Sequence, residues 1–197
     1  MTPIVEKVEY FAANRLKENL SSELCFHDWE HTAGVVQASY QIGKKCGFSD
    51  LEMEMVMIAA WFHDIGFVRQ YHGHEDQSVE IARSFLECAD YDENKIAEVT
   101  EYIGATRMPQ CPVTLQQKVL CDADMAHLGS KNYLDRLDLL RSEWHVKLNK
   151  VYTHEEWYME NLRFLQKHEF FTAGARQCFK KEKMRNIEKL QTLINNY

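Results

Sequence analysis

Apolar residues recur along this chain at spacings of three and four, and the strict alternation of a half-buried strand is nearly absent. The pattern predicts an all-α protein. Val5, Val8, Phe11, Ala12 and Leu16 form one stripe of a first helix over Ile4 to Leu20, which Ser21 and Ser22 interrupt. A second helix begins near Asp28, carries Val35, Val36 and Ile42 inward, and ends at Gly47, a residue suited to the left-handed position after a helix. Ser49 and Glu52 make a capping box for a third helix, whose run from Met55 to Phe62 is wholly apolar and must be central. That helix delivers His63 and Asp64 at its end. Further helices are predicted over about Ser78 to Ala89, Asp92 to Thr106, Val113 to Leu128 and Lys131 to Lys150. Thr153 and Glu156 cap another through Phe164, and a last runs from about Phe171 to Asn195. No repeat or linker divides them, so a single domain over residues 1–197 is expected.

Composition narrows the class. With 197 residues, 3 Pro and 8 Gly, the chain is long enough to bury a core without disulfides and too ordered in composition for a disordered or fibrous protein. The longest apolar run falls far short of the roughly 20 residues a membrane-spanning helix needs, and the start MTPIVEKVEY has no signal-peptide pattern. A cytoplasmic protein without membrane insertion is expected. The six cysteines include no C-x-x-C pair, which argues against a zinc ribbon or a redox dithiol. A net charge of -7 disfavours general nucleic-acid binding, because phosphate-backbone affinity needs excess Lys and Arg. A small anionic substrate stays compatible, since a metal ion can supply local positive charge. The basic stretch from Arg176 to Lys189 reads as a solvated helix face.

Three polar islands interrupt the apolar helices. His63 and Asp64 follow eight apolar residues, so burial requires either a hydrogen-bonded pair or a cation to satisfy the carboxylate. His27 and His31 stand one helical turn apart ahead of an apolar face, and Asp122, Asp124 and His127 lie in another largely apolar helix. Imidazole nitrogen and carboxylate oxygen together suit one divalent transition ion such as Mn, Fe, Co, Ni or Zn.

The order His31, then His63-Asp64, then an aspartate in DADMAHLG resembles the H…HD…D signature of the HD superfamily of metal-dependent phosphohydrolases. HDWEHTAGVV is similar to the family's first-histidine helix, AAWFHDIG to its HD helix, and HEDQSVEIA to the helix that commonly follows. The resemblance covers about Cys25 to Gly129 and leaves a helical extension over about 131–197. It implies an HD-domain helical bundle with a central metal site, in which His31, His63, Asp64 and Asp124 are the ligands. Ala123-Asp124 matches the family's alanine-aspartate pairing, so Asp122 is expected to support or cap. A histidine at the position of His74 binds a second metal in binuclear relatives, but EYIGATRMPQ lacks their further histidines. One ion per chain is therefore expected, with His74 lining the site, and oxygen-activating binuclear chemistry is disfavoured. The extension also resembles bacterial HD proteins associated with cyclic-nucleotide-responsive antiphage effectors.

The implied activity is hydrolysis of a nucleotide or another small phosphoester through a metal-activated water, with the phosphorylated small molecule as partner. Some HD nucleotidases carry a glutamate three residues after the HD pair, where this chain has Phe67. The general base is open between Glu75 and Asp28, Asp28 also reading as a helix N-cap. His27 reads either as a residue orienting His31 or as a substrate donor, and Arg107 either as a phosphate clamp or a surface residue. His72, His145, His154 and His168 read as surface or packing residues. The alternative function is a nucleotide-binding sensor that keeps the pocket with little turnover. No oligomeric state follows from the pattern.

Overall fold

The structure, a computed structural model, describes residues 2–196. Among them are nine α-helices and no strand. The helices are α1 (Pro3–Asn19), α2 (Trp29–Cys46), α3 (Asp50–Phe62), α4 (His74–Cys88), α5 (Glu93–Gly104), α6 (Leu115–Asp124), α7 (Tyr133–Leu148), α8 (His154–Lys167) and α9 (Ala173–Ile194). Single 3₁₀ turns follow α3 at Ile65–Val68 and α6 at Met125–Gly129.

Local chemistry sets most of these boundaries. The Asp28 side chain accepts from the His31 amide at 2.8 Å and starts α2. Gly47, at φ 76°, ends that helix in the left-handed conformation, and the Phe48 amide returns to the Gly43 carbonyl. The capping boxes at Ser49/Glu52 and Thr153/Glu156 both form, and a third at Thr114/Gln117 starts α6.

Two boundaries differ from the expected ones by a full turn. Helix α4 opens at His74, a turn before Ser78, because Gly73 at φ 70° redirects the chain and the polar residues Glu75 and Asp76 fill the first turn. Helix α6 stops at Asp124 where a continuous helix to Leu128 was expected, and the chain tightens into the 3₁₀ turn.

Helix α3 is the hub, packed against α1, α2, α5 and α6. Its Val56, Ile58, Ala59, Ala60 and Phe62 are fully buried in a core that also takes Phe170 and Ala175 from the chain's C-terminal part. A second cluster, including Leu128, Tyr133, Leu137, Trp157 and Leu190, joins the 3₁₀ turn after α6 to α7, α8 and α9. Helix α9 spans both regions, lying against α2 and that turn on one side and α8 on the other. No helix of the described residues is long and apolar enough to cross a membrane, and all six cysteines are free.

Candidate metal centre

The ends of α3 and α6 and the first turn of α2 meet at one buried point. His63 closes α3, and its Nδ1 donates to the Ala60 carbonyl at 2.8 Å, which leaves Nε2 as a lone pair facing inward. The His31 Nε2 lies 3.4 Å from it. Asp64 Oδ2 sits 3.2 Å from His63 Nε2 and 3.3 Å from His31 Nε2, and Asp124 Oδ1 lies 3.4 Å from His31 Nε2. Donor atoms of His31, His63 and Asp124 all fall within 4.8 Å of one another. Asp64 Oδ2 is buried with no hydrogen bond of ordinary geometry among the described residues.

Two imidazole nitrogens and the Asp124 oxygen converging on the orphaned buried oxygen of Asp64 fit a divalent cation better than they fit one another. Burial opposes charge on Asp64, yet the imidazoles of His63, His31 and His74 hold its carboxyl well below the usual range. Burial likewise opposes charge on Asp124, which His31 and His63 hold low. Burial disfavours a protonated His31, but Asp124 and Asp64 outweigh it and raise that imidazole to about 9. The carboxylates are thus in the ionised form that a metal ligand requires, whereas His31 is protonated in the ion-free centre and has to release that proton to ligate.

The HD domain family matches the chain over residues 28–128, a span that contains all four donors in order. The chain belongs to the HD domain family. Two solved structures share the architecture of this HD domain over nearly its whole length. One, from an uncultured Thermotogales bacterium and described as a predicted HD superfamily hydrolase, is 20% identical with a TM-score of 0.69, covering 98% of this chain and 93% of its own. The other, a protein from Lactobacillus plantarum, is 13% identical with a TM-score of 0.70, covering 99% and 95%. At these identities the likeness is one of fold. No curated protein matches the chain.

Asp122, two residues before Asp124, faces the other way in this HD domain. Its carboxylate accepts from the Phe171 amide at 2.7 Å, the Thr172 amide at 2.8 Å and the Thr172 hydroxyl at 2.7 Å, tying α6 to the start of α9. Burial pushes its carboxyl up against the pull of those donors. Asp124 is steadied instead by Gln110, whose side-chain amide donates to Oδ2 at 3.0 Å.

His74 lies beside the centre, Nε2 at 3.3 Å from Asp64 Oδ1, its ring stacked on Phe67 at 3.7 Å between centroids. A cavity of about 270 Å³ opens from Asp64 and Asp124 and is also lined by His27, His74, Glu75 and His127. Asp28 and Arg107, the other two candidates from the sequence, do not line it. Asp28 is occupied as the α2 N-cap and by Arg136 at 3.3 Å, while the Arg107 guanidinium is bonded to Asp76 and stands 3.9 Å from Glu75.

Sequence reasoning missed Glu143 of α7. It is fully buried, accepts from the amides of Phe26 and His27 at 3.0 and 3.1 Å and from the Tyr71 hydroxyl at 3.2 Å, and meets His27 Nδ1 at 2.5 Å. It thereby fixes the approach to α2 from the far end of the chain. A lone glutamate in an amphipathic helix gives no signal of such a role. His127 was visible in DADMAHLG but without a function. Its Nδ1 meets the Asp124 carbonyl at 3.0 Å, and burial with the nearby His31 charge pushes it down to about 4, so it is a neutral wall of the cavity.

Proposed function

We propose that this HD domain is a metal-dependent phosphohydrolase for a nucleotide or another small phosphoester. The observation that carries the reading is the orphaned Asp64 oxygen at the meeting point of His31, His63 and Asp124, placed at the end of a cavity. Those four residues would hold one divalent transition ion, Mn, Fe, Co, Ni or Zn by the chemistry of the donor set. When bound, such an ion polarises a phosphoryl oxygen and lowers the pKa of water.

The remaining steps fall to the chain's own groups. His63 is fixed in one tautomer by the Ala60 carbonyl, and His74, braced by Phe67, holds Asp64 through its second oxygen. Glu75 lines the cavity 3.8 Å from His74 Nδ1 and is the carboxylate placed to move a proton. His27 has its Nδ1–H engaged by Glu143, which leaves the Nε2 lone pair to accept from a substrate hydroxyl. Asp28, satisfied at the α2 terminus, serves structure in this reading, and Arg107 serves the surface.

The test is turnover of a panel of phosphomonoesters, phosphodiesters and nucleotides by protein loaded with manganese, followed by chelation. Hydrolysis that disappears with chelator and returns with metal is expected. Saturable nucleotide binding with no turnover of any ester would replace this reading with that of a sensor, which the apolar Phe67 three residues after the HD pair also suits.

A further inference from the structure

The cavity leading from the centre has two unlike ends. Helices α7 and α8 each turn one face toward it. From α7 come Tyr133, Leu137, Leu140 and Trp144, at successive helical turns, and from α8 come Trp157, Glu160, Asn161 and Phe164. Leu137 and Trp157 are nearly or fully buried and form the base, whereas Trp144 and Phe164 remain partly exposed and offer ring surface. Trp144 packs edge-on against Trp157 at 5.4 Å, so the wall is rigid.

Charge is distributed just as unevenly. No Lys or Arg is among the residues lining the cavity, which carries Glu75 and Glu160 besides the two aspartates of the centre. The neighbouring cations have other partners. Arg107 is bonded to Asp76 and lies 3.9 Å from Glu75, Arg136 is bonded to the Phe26 carbonyl and Asp28, Arg163 lies 3.7 Å from Glu160, and Lys150 stands over the Trp144 ring at 4.2 Å. A neutral donor is available. The Tyr133 hydroxyl is buried in this wall with no hydrogen-bond partner among the described residues, and burial raises its pKa, so it stays protonated. A buried unpaired hydroxyl is costly and is satisfied when a ligand brings an acceptor.

The geometry points to a substrate that is a small organic monophosphate with an apolar, ring-sized body, and to exclusion of di- and triphosphates. The phosphoryl group would lie at the Asp64–Asp124 end and the body against Leu140, Trp144 and Phe164. A polyphosphate chain would have to cross a lining that holds no Lys or Arg and would approach Glu75 and Glu160, whose charges the loose, exposed pairs with Arg107 at 3.9 Å and Arg163 at 3.7 Å offset only in part. The volume, at the small end of the range for ligand sites, admits a body of about one ring system. The inference rests on the hydrolase reading only for the phosphoryl end.

Direct binding to the manganese-loaded full chain tests it, using phenylphosphonate, methylphosphonate and tripolyphosphate, the last with excess magnesium to prevent stripping of the centre. Phenylphosphonate should bind at least about tenfold more tightly than either of the others, the gain expected from covering one ring face. Trp144→Ala should shrink the phenyl-to-methyl ratio to about threefold or less, with helical content checked by circular dichroism. Glu160→Lys, at an exposed position that tolerates change, should strengthen tripolyphosphate binding by about threefold or more. Equal binding of methyl- and phenylphosphonate, or tripolyphosphate binding as tight as phenylphosphonate, overturns the inference. Phenylphosphonate preference without turnover of any phosphoester would overturn the hydrolase reading alone; faster turnover of triphosphates than of monophosphates would overturn the substrate class alone.

Discussion

Asp122 and Asp124 stand two residues apart on α6 and do opposite work, one securing α9 and the other facing the centre. Asp124→Asn is expected to weaken metal retention by more than the roughly 10–100-fold typical of supporting residues while helical content is kept. Asp122→Asn should keep the metal and lose about 1–3 kcal/mol of stability, because it disturbs buried donors. Elemental analysis after dialysis, with urea titration, separates them; metal loss in Asp122→Asn alone would reverse the assignment. The same analysis should find about one retained ion per chain, because His74 already spans to Asp64 and EYIGATRMPQ brings Gln110, a hydrogen-bond donor, to Asp124. Two retained ions would reinstate a binuclear centre.

Glu143 supplies a pH test. Burial would raise its carboxyl, but His27 and the amides of His27 and Phe26 hold it below the usual range. The unfolded chain therefore takes up this proton first on acidification. The contribution is complete above about pH 5 and is lost as pH falls through about 4.3 towards the folded-state value. Urea midpoints between about pH 3.5 and 6 should fall more steeply for the wild type than for Glu143→Gln, which is also the less stable at the upper end. Parallel slopes would remove Glu143 from the acid transition. At this scale the residues that converge at the centre were legible from their order along the chain, although residue type alone did not separate them from Asp122 and His127, which serve other ends in the same segment. Glu143, Gln110 and Tyr133 were not, since what they do depends on partners distant in sequence.

Helix starts were readable where a cap marks them, as at Ser49 and Thr153, and misread where hydrophobic period alone was available. In α4 the buried residues begin only at Ser78, so the polar first turn carrying His74 left no trace in the apolar pattern. In α6 the opposite happened: Leu128 continues the period past Asp124 and hides the 3₁₀ turn. The turn after α3 brings a sharper constraint. Gly66 packs so close to α4 that a Cβ there would lie 1.9 Å from the His74 carbonyl and 2.7 Å from the Ser78 amide. Both neighbours are backbone and cannot yield, and the Gly66 amide is itself bonded to the Ser78 hydroxyl at 2.9 Å. Gly66→Ala should cost about 1–3 kcal/mol and shift His74 away from Asp64. A crystal structure or histidine NMR shifts can check the displacement; unchanged stability and an unchanged His74 environment would show that the two elements are less tightly joined.

At the level of the whole molecule, residues beyond the family match hold parts of the centre in place. Phe170 and Ala175 enter the main core, Thr172 satisfies Asp122, and Glu143 fixes the segment before α2. A fragment of residues 1–130 is accordingly expected to unfold without a sharp transition and to retain metal at least about tenfold more weakly than the full chain. Circular dichroism with metal titration measures both, and a cooperatively folding fragment of full affinity would make the extension an independent unit. The all-α class and the order of the clustered histidines and aspartates were visible in residues 25–129, whereas the dependence on α7 and α9 arises from contacts such as that of Glu143 with Phe26, 117 residues apart, which periodicity does not record.

The Glu143 contact also has a meaning in time. Chains emerge from the ribosome N-terminus first, at about 5–20 residues per second. All four donors have been made by residue 124, while Glu143 and the Thr172 partner of Asp122 come later. For those seconds the nascent chain holds a complete set of donors on an unsecured frame, able to take up and release whichever ion is abundant. An ion held by these four donors would then exchange more freely before the last helices dock than after them.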